Sequence, residues 1–254
     1  MKKILILMLK FLLCCCCVVF SAAAISPVNK IYPRVLSKFQ HDPDAFTQGL
    51  EYRNGKLYES TGMYDKSSIR VLDTTGKILK KFSVPGVFAE GCTVFNNKLY
   101  QLTWRENQCL VYSFPGLEIQ RAYSYTGEGW GLTNDSKLLI MSNGSDTLYY
   151  RDSALVIKKK ISVKINGTGL KNLNELEYAR NHIFANVWFD NNIYEIDPLT
   201  GNVVRVIDCS EMTKQEMVRT DQDVLNGIAY DMSADNFFIT GKNWRHIYIA
   251  KIPH

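Results

Sequence analysis

The sequence predicts an all-β fold, a five-bladed β-propeller of four-stranded antiparallel blades preceded by a signal peptide, and three observations predict it. Nearly every segment after Pro33 reads as a short strand rich in Val, Ile, Leu, Tyr and Phe and ended by Asn, Gly, Asp or Ser. These strands recur at intervals of roughly 40 to 50 residues, the spacing that signals propellers. Helical periodicity is confined to Ser210 to Arg219, where Ser210 is placed to cap a short helix with Met212 and Met217 on its apolar side.

The chain opens with Lys2 and Lys3, an apolar run from Ile4 to Phe20, and the small residues Ser21-Ala22-Ala23-Ala24, the three parts of a secretory signal cleaved after Ala24. An uncleaved anchor is the competing reading, since the run approaches the ~18 residues of a membrane span. Residues 1–24 are therefore assigned to the signal and 25–254 to one catalytic propeller domain. That domain is expected to be exported, periplasmic or extracellular, without stable membrane association after cleavage.

At 254 residues, 46% hydrophobic and 22% charged, the chain has the composition of a globular protein with a large core. The formal charge is +5, but Lys2, Lys3 and Lys10 lie in the signal, and 27 Lys and Arg against 25 Asp and Glu leave +2 with no basic run. Nothing favours a nucleic-acid partner. Of seven cysteines only Cys92, Cys109 and Cys209 follow the signal, an odd number that builds no disulfide framework. Cys92 and Cys109 read as two strands apart, about 9 to 10 Å and beyond disulfide reach, so all three are taken as small buried apolar side chains.

Two markers count five units. The first is an apolar residue after a small or polar pair: Leu50, Cys92, Leu132, Leu176 and Ile228. The second lies in the next strand: Leu57, Leu99, Leu138, Ile183 and Phe237. Each unit continues into further strands, as in Arg70-Val71-Leu72-Asp73 followed by Gly76-Lys77-Ile78-Leu79. A lone four-stranded sheet cannot cover both faces, whereas radial stacking buries them against neighbours. The last unit ends at Ile247-Tyr248-Ile249-Ala250 without a fourth strand, so the strand from Arg34 to Phe39 is expected to supply it and close the ring. A β-sandwich is the alternative that the doubly marked repeat argues against.

Equivalent repeat positions sit at equivalent distances from the axis. Two residues before the first marker lie Gln48, Glu90, Trp130, Asn174 and Asn226; five after the second lie Gly62, Trp104, Asn143, Trp188 and Lys242. Core packing would fill such positions with Val, Ile or Ala. Amides, one acid, one lysine and three indoles converging from five blades suit instead a pocket of apolar walls with a few placed polar groups. The blander reading is that the amides tie up strand ends and the indoles seal the blades.

At this point eight ordered motifs carry a resemblance. Asp44-Ala45-Phe46-Thr47-Gln48-Gly49-Leu50, Glu59-Ser60-Thr61-Gly62, Phe88-Ala89-Glu90-Gly91, Gly129-Trp130-Gly131-Leu132, Leu173-Asn174-Glu175-Leu176, Ala185-Asn186-Val187-Trp188, Leu225-Asn226-Gly227-Ile228 and Thr240-Gly241-Lys242-Asn243-Trp244 resemble those of the plant-type glutaminyl cyclases, also called glutamine cyclotransferases. The resemblance implies an enzyme that converts the N-terminal glutamine of peptides or proteins to pyroglutamate and releases ammonia. It implies that Glu90 transfers protons, that Gln48, Asn174 and Lys242 help hold the substrate, and that Phe46, Phe88, Trp104, Trp130 and Trp188 shape the pocket. It implies no required cofactor and allows a structural calcium ion in the central channel, whose ligands the motifs do not identify. A monomer is expected.

The residue types suit that chemistry. Because attacking amine and attacked carboxamide belong to one residue, the site has chiefly to select the folded-back conformer, which Trp130, Trp188 and Phe46 can confine. A single carboxyl group between the two nitrogens can take one proton and deliver another, and Glu90 is the only acid in either ring. Burial beside Phe88, Trp104 and Trp130 should raise its pKa, provided Lys242 is held near the amide oxygen rather than near Glu90. In that place the Lys242 cation, with Gln48 and Asn174, would stabilise an oxyanion. Glu128, Glu175, Glu177 and Asp223 fall off the rings and are read as inter-blade hydrogen-bond partners. His41, His182, His246 and His254 form no metal-ligand spacing, which argues against zinc. The main rival is a non-catalytic propeller that binds a peptide or protein at the channel mouth; a calcium-dependent lactonase would want several clustered axial carboxylates.

Overall fold

The computed structural model describes residues 28–254; the expected signal over 1–24 lies outside the described residues. Strand β1 (Asn29–Ile31) and strand β2 (Arg34–Gln40) precede the first repeat. The first blade contains β3 (Thr47–Arg53), β4 (Lys56–Thr61), β5 (Ser68–Asp73) and β6 (Ile78–Ser83). The second contains β7 (Ala89–Phe95), β8 (Lys98–Thr103), β9 (Gln108–Ser113) and β10 (Ile119–Ser124). The third contains β11 (Leu132–Asn134), β12 (Leu139–Met141), β13 (Thr147–Arg151) and β14 (Ile157–Ser162), followed by a small hairpin of β15 (Lys164–Ile165) and β16 (Thr168–Gly169). The fourth contains β17 (Leu173–Ala179), β18 (His182–Val187), β19 (Asn192–Ile196) and β20 (Val203–Asp208). After helix α1 (Ser210–Gln215), the fifth contains β21 (Leu225–Asp231), β22 (Asn236–Gly241) and β23 (His246–Lys251).

Two-residue turns build the inner hairpins. Asn54-Gly55, Asn96-Asn97 and Arg180-Asn181 all have positive φ, the geometry whose twist matches a right-handed hairpin, and Asn and Gly reach it at least cost. The ring closes as expected: β2 lies antiparallel to β23, with Phe39 opposite Ile247, and so completes the fifth blade from the other end of the chain. β1 was not anticipated. It adds a parallel fifth strand outside β20, extending the fourth blade.

Five apolar clusters occupy the five seams between blades. Tyr58, Ile69 and Val71 meet Cys92, Val94 and Leu99 between blades one and two, and Leu50, Leu57 and Leu72 meet Ala229, Phe238 and Ile247 where five returns to one. Clusters of the same kind fill the remaining three seams. Each fully buried Leu or Ile contributes about 1.5–3 kcal/mol, and none is buried until two blades meet, so the ring is stabilised as a whole.

The pairing register corrects one marker. Leu132 faces Met141 in the way that Leu50 faces Glu59, Cys92 faces Gln101, Leu176 faces Ala185 and Ile228 faces Ile239. The equivalent of Leu57 in the third blade is therefore the fully buried Leu139 and not Leu138, which is partly buried. The ring position five residues on passes from Asn143 to Gly144. Strand side chains alternate between faces, so a slip of one residue exchanges inside for outside.

The helix is also shorter than its pattern. It ends at Gln215, and Cys209 stands at its N-cap without a side-chain bond, so Ser210 is not the cap; the Asp208 carboxylate accepts the Ser210 N–H at 2.9 Å instead. Cys92, Cys109 and Cys209 are free and buried, as expected.

Candidate functional site

The innermost strands crowd the axis because a glycine follows the first ring residue in four blades. Gly49 packs against the backbone of Gly91 and Cys92, Gly91 against Trp130 to Leu132, and Gly131 against Asn174 and Glu175, each so closely that a Cβ would collide with main-chain atoms. This close approach gathers the ring residues at one end of the channel. There they line a cavity of about 1200 Å³ that takes in Phe46, Gln48, Phe88, Glu90, Trp104, Trp130, Asn174, Trp188 and Lys242. The nine residues to which the resemblance gives a part in the site all line this one cavity. Asn226 is one layer back, donating from Nδ2 to Gln48 Oε1 at 3.2 Å and to the Thr47 carbonyl at 2.9 Å. Trp244 does not reach the cavity; it is buried in the seam between blades four and five.

Glu90, on β7, is 4% exposed. Its Oε1 accepts from Gln48 Nε2 at 3.0 Å, while Oε2 is buried without a partner. Burial pushes its pKa well above the usual carboxylate range; the Lys242 cation pulls the other way, and Glu128 and Glu106 reinforce the rise. Lys242, just past β22, is brought down to about 8 by burial, with Glu90 opposing. Desolvation outweighs the mutual attraction at both groups. The ammonium lies over aromatic faces, 4.9 Å from the Phe46 ring centre and 5.9 Å from that of Trp188. Such contacts favour the charged form while leaving N–H donors available.

Two other cavity residues carry unpaired buried atoms: Asn174 Oδ1, an acceptor, and Trp188 Nε1, a donor. A buried orphan costs about 1–3 kcal/mol, so three such atoms around one cavity call for an explanation, and a bound polar ligand supplies it. The aromatic walls are mutually braced: Trp130 meets Trp188 edge-on at 5.5 Å, Phe88 meets Phe46 at 6.1 Å and Trp104 at 5.5 Å. Gly144 allows this, because its missing side chain leaves room for the Trp130 ring.

Glu128 is the residue whose closeness to the site its off-ring position concealed. Its Oε2 accepts from both Trp104 Nε1 at 2.8 Å and Trp130 Nε1 at 3.0 Å, while Oε1 takes Arg105 Nε at 3.1 Å. Arg105 in turn stacks on Trp104 at 3.7 Å. Although its burial acts upward, these bonds from Trp130, Trp104 and Arg105 hold the Glu128 carboxyl below its usual range. It is an inter-blade partner, as expected, and the indoles it joins are two walls of the cavity.

At the ring closure, the cavity wall is held by charge. His41 bonds Glu59 through Nε2 at 2.8 Å and the Trp244 carbonyl through Nδ1 at 2.9 Å, and Thr47 Oγ1 donates to the same Glu59 oxygen at 2.7 Å. Asn243 donates its N–H to the Ala45 carbonyl at 2.7 Å. Phe46 and Gln48 on one blade are thereby fixed against Lys242 on its neighbour.

The chain matches the family model described as glutamine cyclotransferase over residues 7–252. It belongs to the glutamine cyclotransferase family. A glutaminyl-peptide cyclotransferase of Arabidopsis thaliana is 40% identical over 233 residues, 89% of this chain and 72% of that protein. The crystal structure of Myxococcus xanthus glutaminyl cyclase superposes with a TM-score of 0.84 at 33% identity, covering 89% of this chain and 98% of that one. A structural calcium ion, which the family allows, needs six to eight oxygen ligands. Among the described residues no three His, Cys, Asp or Glu side chains are grouped to hold a metal. Of the buried carboxylates away from the cavity, Glu175 is committed to backbone N–H groups, and Glu51 to Thr93 at 2.8 Å and Arg53 at 3.3 Å. Backbone and amide carbonyls also serve calcium as ligands, and no step is derived through the ion.

Proposed function

We propose that this family member cyclises the N-terminal glutamine of peptides or proteins to pyroglutamate with release of ammonia, and that Glu90 carries the proton. The observation that bears most weight is Glu90 Oε2, a buried, unpartnered carboxyl oxygen facing a cavity walled by indoles. The substrate side chain folds back against the wall formed by Trp130 and Trp188, which brings its α-amine against its own carboxamide carbon. Asn174 Oδ1 accepts an N–H of the substrate and Trp188 Nε1 donates to a carbonyl, satisfying both orphans.

The neutral amine attacks, a carbon–nitrogen bond forms, and negative charge gathers on the carboxamide oxygen beside the Lys242 ammonium. Protonated Glu90 donates its proton to the departing nitrogen, the old carbon–nitrogen bond breaks, and ammonia leaves. Glu90 then takes the proton of the newly bonded ring nitrogen and is restored. A carboxyl with an ordinary pKa of about 4.3 would be ionised at neutral pH and unable to begin this cycle, which gives the upward shift at Glu90 its purpose.

The test is ammonia released per mole of a Gln-initiated dipeptide, with a mass spectrum of the product. Stoichiometric release with the matching mass loss is expected. Binding without release would make this a propeller that only captures peptides. Export is part of the same proposal, and N-terminal sequencing of secreted protein should begin at residue 25.

A further inference from the structure

We propose that the substrate chain beyond its N-terminal glutamine lies in a groove running outward across the top edge of the first blade, which makes extended peptides and protein N-termini the preferred substrates. This rests on the cyclotransferase reading above. A pocket for one small molecule occupies about 300–1,000 Å³, and the present cavity of about 1200 Å³ is larger than a lone glutaminyl residue needs. The excess is directional. Beyond Gln48 on β3, the cavity is lined by Gly62 after β4, Arg70 on β5, and Lys81 and Ser83 on β6.

Strand pairing places these residues in order along one edge. Thr47 faces Thr61, Thr61 faces Ser68 and Ser68 faces Ser83, so the cavity passes from the innermost to the outermost strand of a single blade. Three strand spacings of about 4.8 Å give roughly 14 Å, the length of about four extended residues. Gly62 bounds the inner end of this edge: the Phe88 ring and the Gln48 side chain occupy the place a side chain there would take, whereas at the equivalent position blades two, four and five carry Trp104, Trp188 and Lys242.

One wall comes from the segment that lengthens the fifth repeat, and it is held in place rather than draped. Asp223 accepts the Arg219 N–H at 2.8 Å and the Thr220 hydroxyl at 3.0 Å, which curls Arg219, Thr220, Asp221 and Gln222 over the cavity. The Arg219 guanidinium then crosses to Asp44 Oδ1 at 3.4 Å and to the Pro43 carbonyl. Glu216 anchors the start of the segment by accepting the Arg245 N–H at 2.7 Å. A fixed wall beside a continuous edge suits an extended main chain, whose amides need partners along its length.

The experiment compares kcat/KM for a two-residue Gln-initiated peptide amide with that for a five-residue peptide of the same beginning, in the parent, Ser83→Trp and Arg219→Ala. In the parent, the longer peptide is expected to be favoured by about tenfold or more, mainly through KM. The ratio should fall to near one in Ser83→Trp, which fills the outer end, and partway in Arg219→Ala, which frees the wall. Equal values for both lengths in the parent, or a preference that survives in both variants, overturns the groove. Absence of ammonia from either peptide would overturn the enzymatic reading itself, a separate outcome.

Discussion

Glu90 and Glu175 both stand on innermost strands, both are nearly inaccessible, and burial pushes both carboxyl groups well above the usual range. They differ in what their oxygens meet. Glu175 follows Asn174 where the four other blades have glycine. Its Oε1 accepts the Leu50 N–H at 3.2 Å and its Oε2 the Ile228 N–H at 2.8 Å, joining three blades across the axis. Glu90 leaves Oε2 unpaired beside a cavity. A raised pKa therefore does not distinguish a catalytic acid from a structural strut; an unpartnered oxygen on a residue that lines the cavity does.

The comparison can be broken most sharply at Glu90. Glu90→Gln keeps the bond with Gln48 within reach and removes the transferable proton, so kcat should fall by about 10²–10⁴ while a Gln-initiated peptide still binds by calorimetry. Activity within a few-fold of the parent would take Glu90 out of its role. Lys242→Met should lower kcat by about 10²–10³ if the ammonium faces the oxyanion, as removal of one such donor does elsewhere.

Their coupling predicts a pH profile. Below the ~8 of a free α-amine, kcat/KM should rise about tenfold per pH unit as the amine becomes neutral. Lys242 holds its charge below its own pKa and loses it as pH rises through about 8, so activity should fall on the alkaline side. A plateau continuing to strongly alkaline pH would remove Lys242 from the transition state.

Smaller effects sharpen the contrast from the structural side. Glu128→Ala frees the Trp104 and Trp130 indoles together and should raise KM about tenfold with a lesser change in kcat, since walls bind but do not react. Glu175→Ala strands the Leu50 and Ile228 N–H groups and should cost roughly 2–5 kcal/mol in a denaturant titration, with turnover of the folded fraction within a few-fold of the parent. A kcat loss as deep as that of Glu90→Gln would erase the distinction drawn here. Cys109→Ala, far from the cavity in the seam between blades two and three, should leave turnover unchanged.

Much of this was legible in sequence because a propeller repeats its geometry. Equal repeat position means equal distance from the axis, so Gln48, Glu90, Trp130 and Asn174 were placed together before any contact was known, and β2 was found by the strand missing beside β23. The signal weakened where local pattern is degenerate. Leu138 and Leu139 are adjacent and chemically alike, and only the pairing of Leu132 with Met141 shows which one faces inward. Glu128 fell off the ring positions, although a carboxylate two residues before Trp130 in a glycine-rich turn is a cue for a bond to an indole.

By itself the sequence determined the number of blades, the closure of the ring and the residues that surround the channel mouth, because those follow from spacing along the chain. Only the tertiary structure decided which acid at the cavity keeps an unpartnered oxygen, which carboxylate ties two indoles, and where the cavity opens to its surface. Those depend on atoms from separate blades arriving within about 3 Å of one another, and hydrogen bonds of that range are set by packing rather than by periodicity.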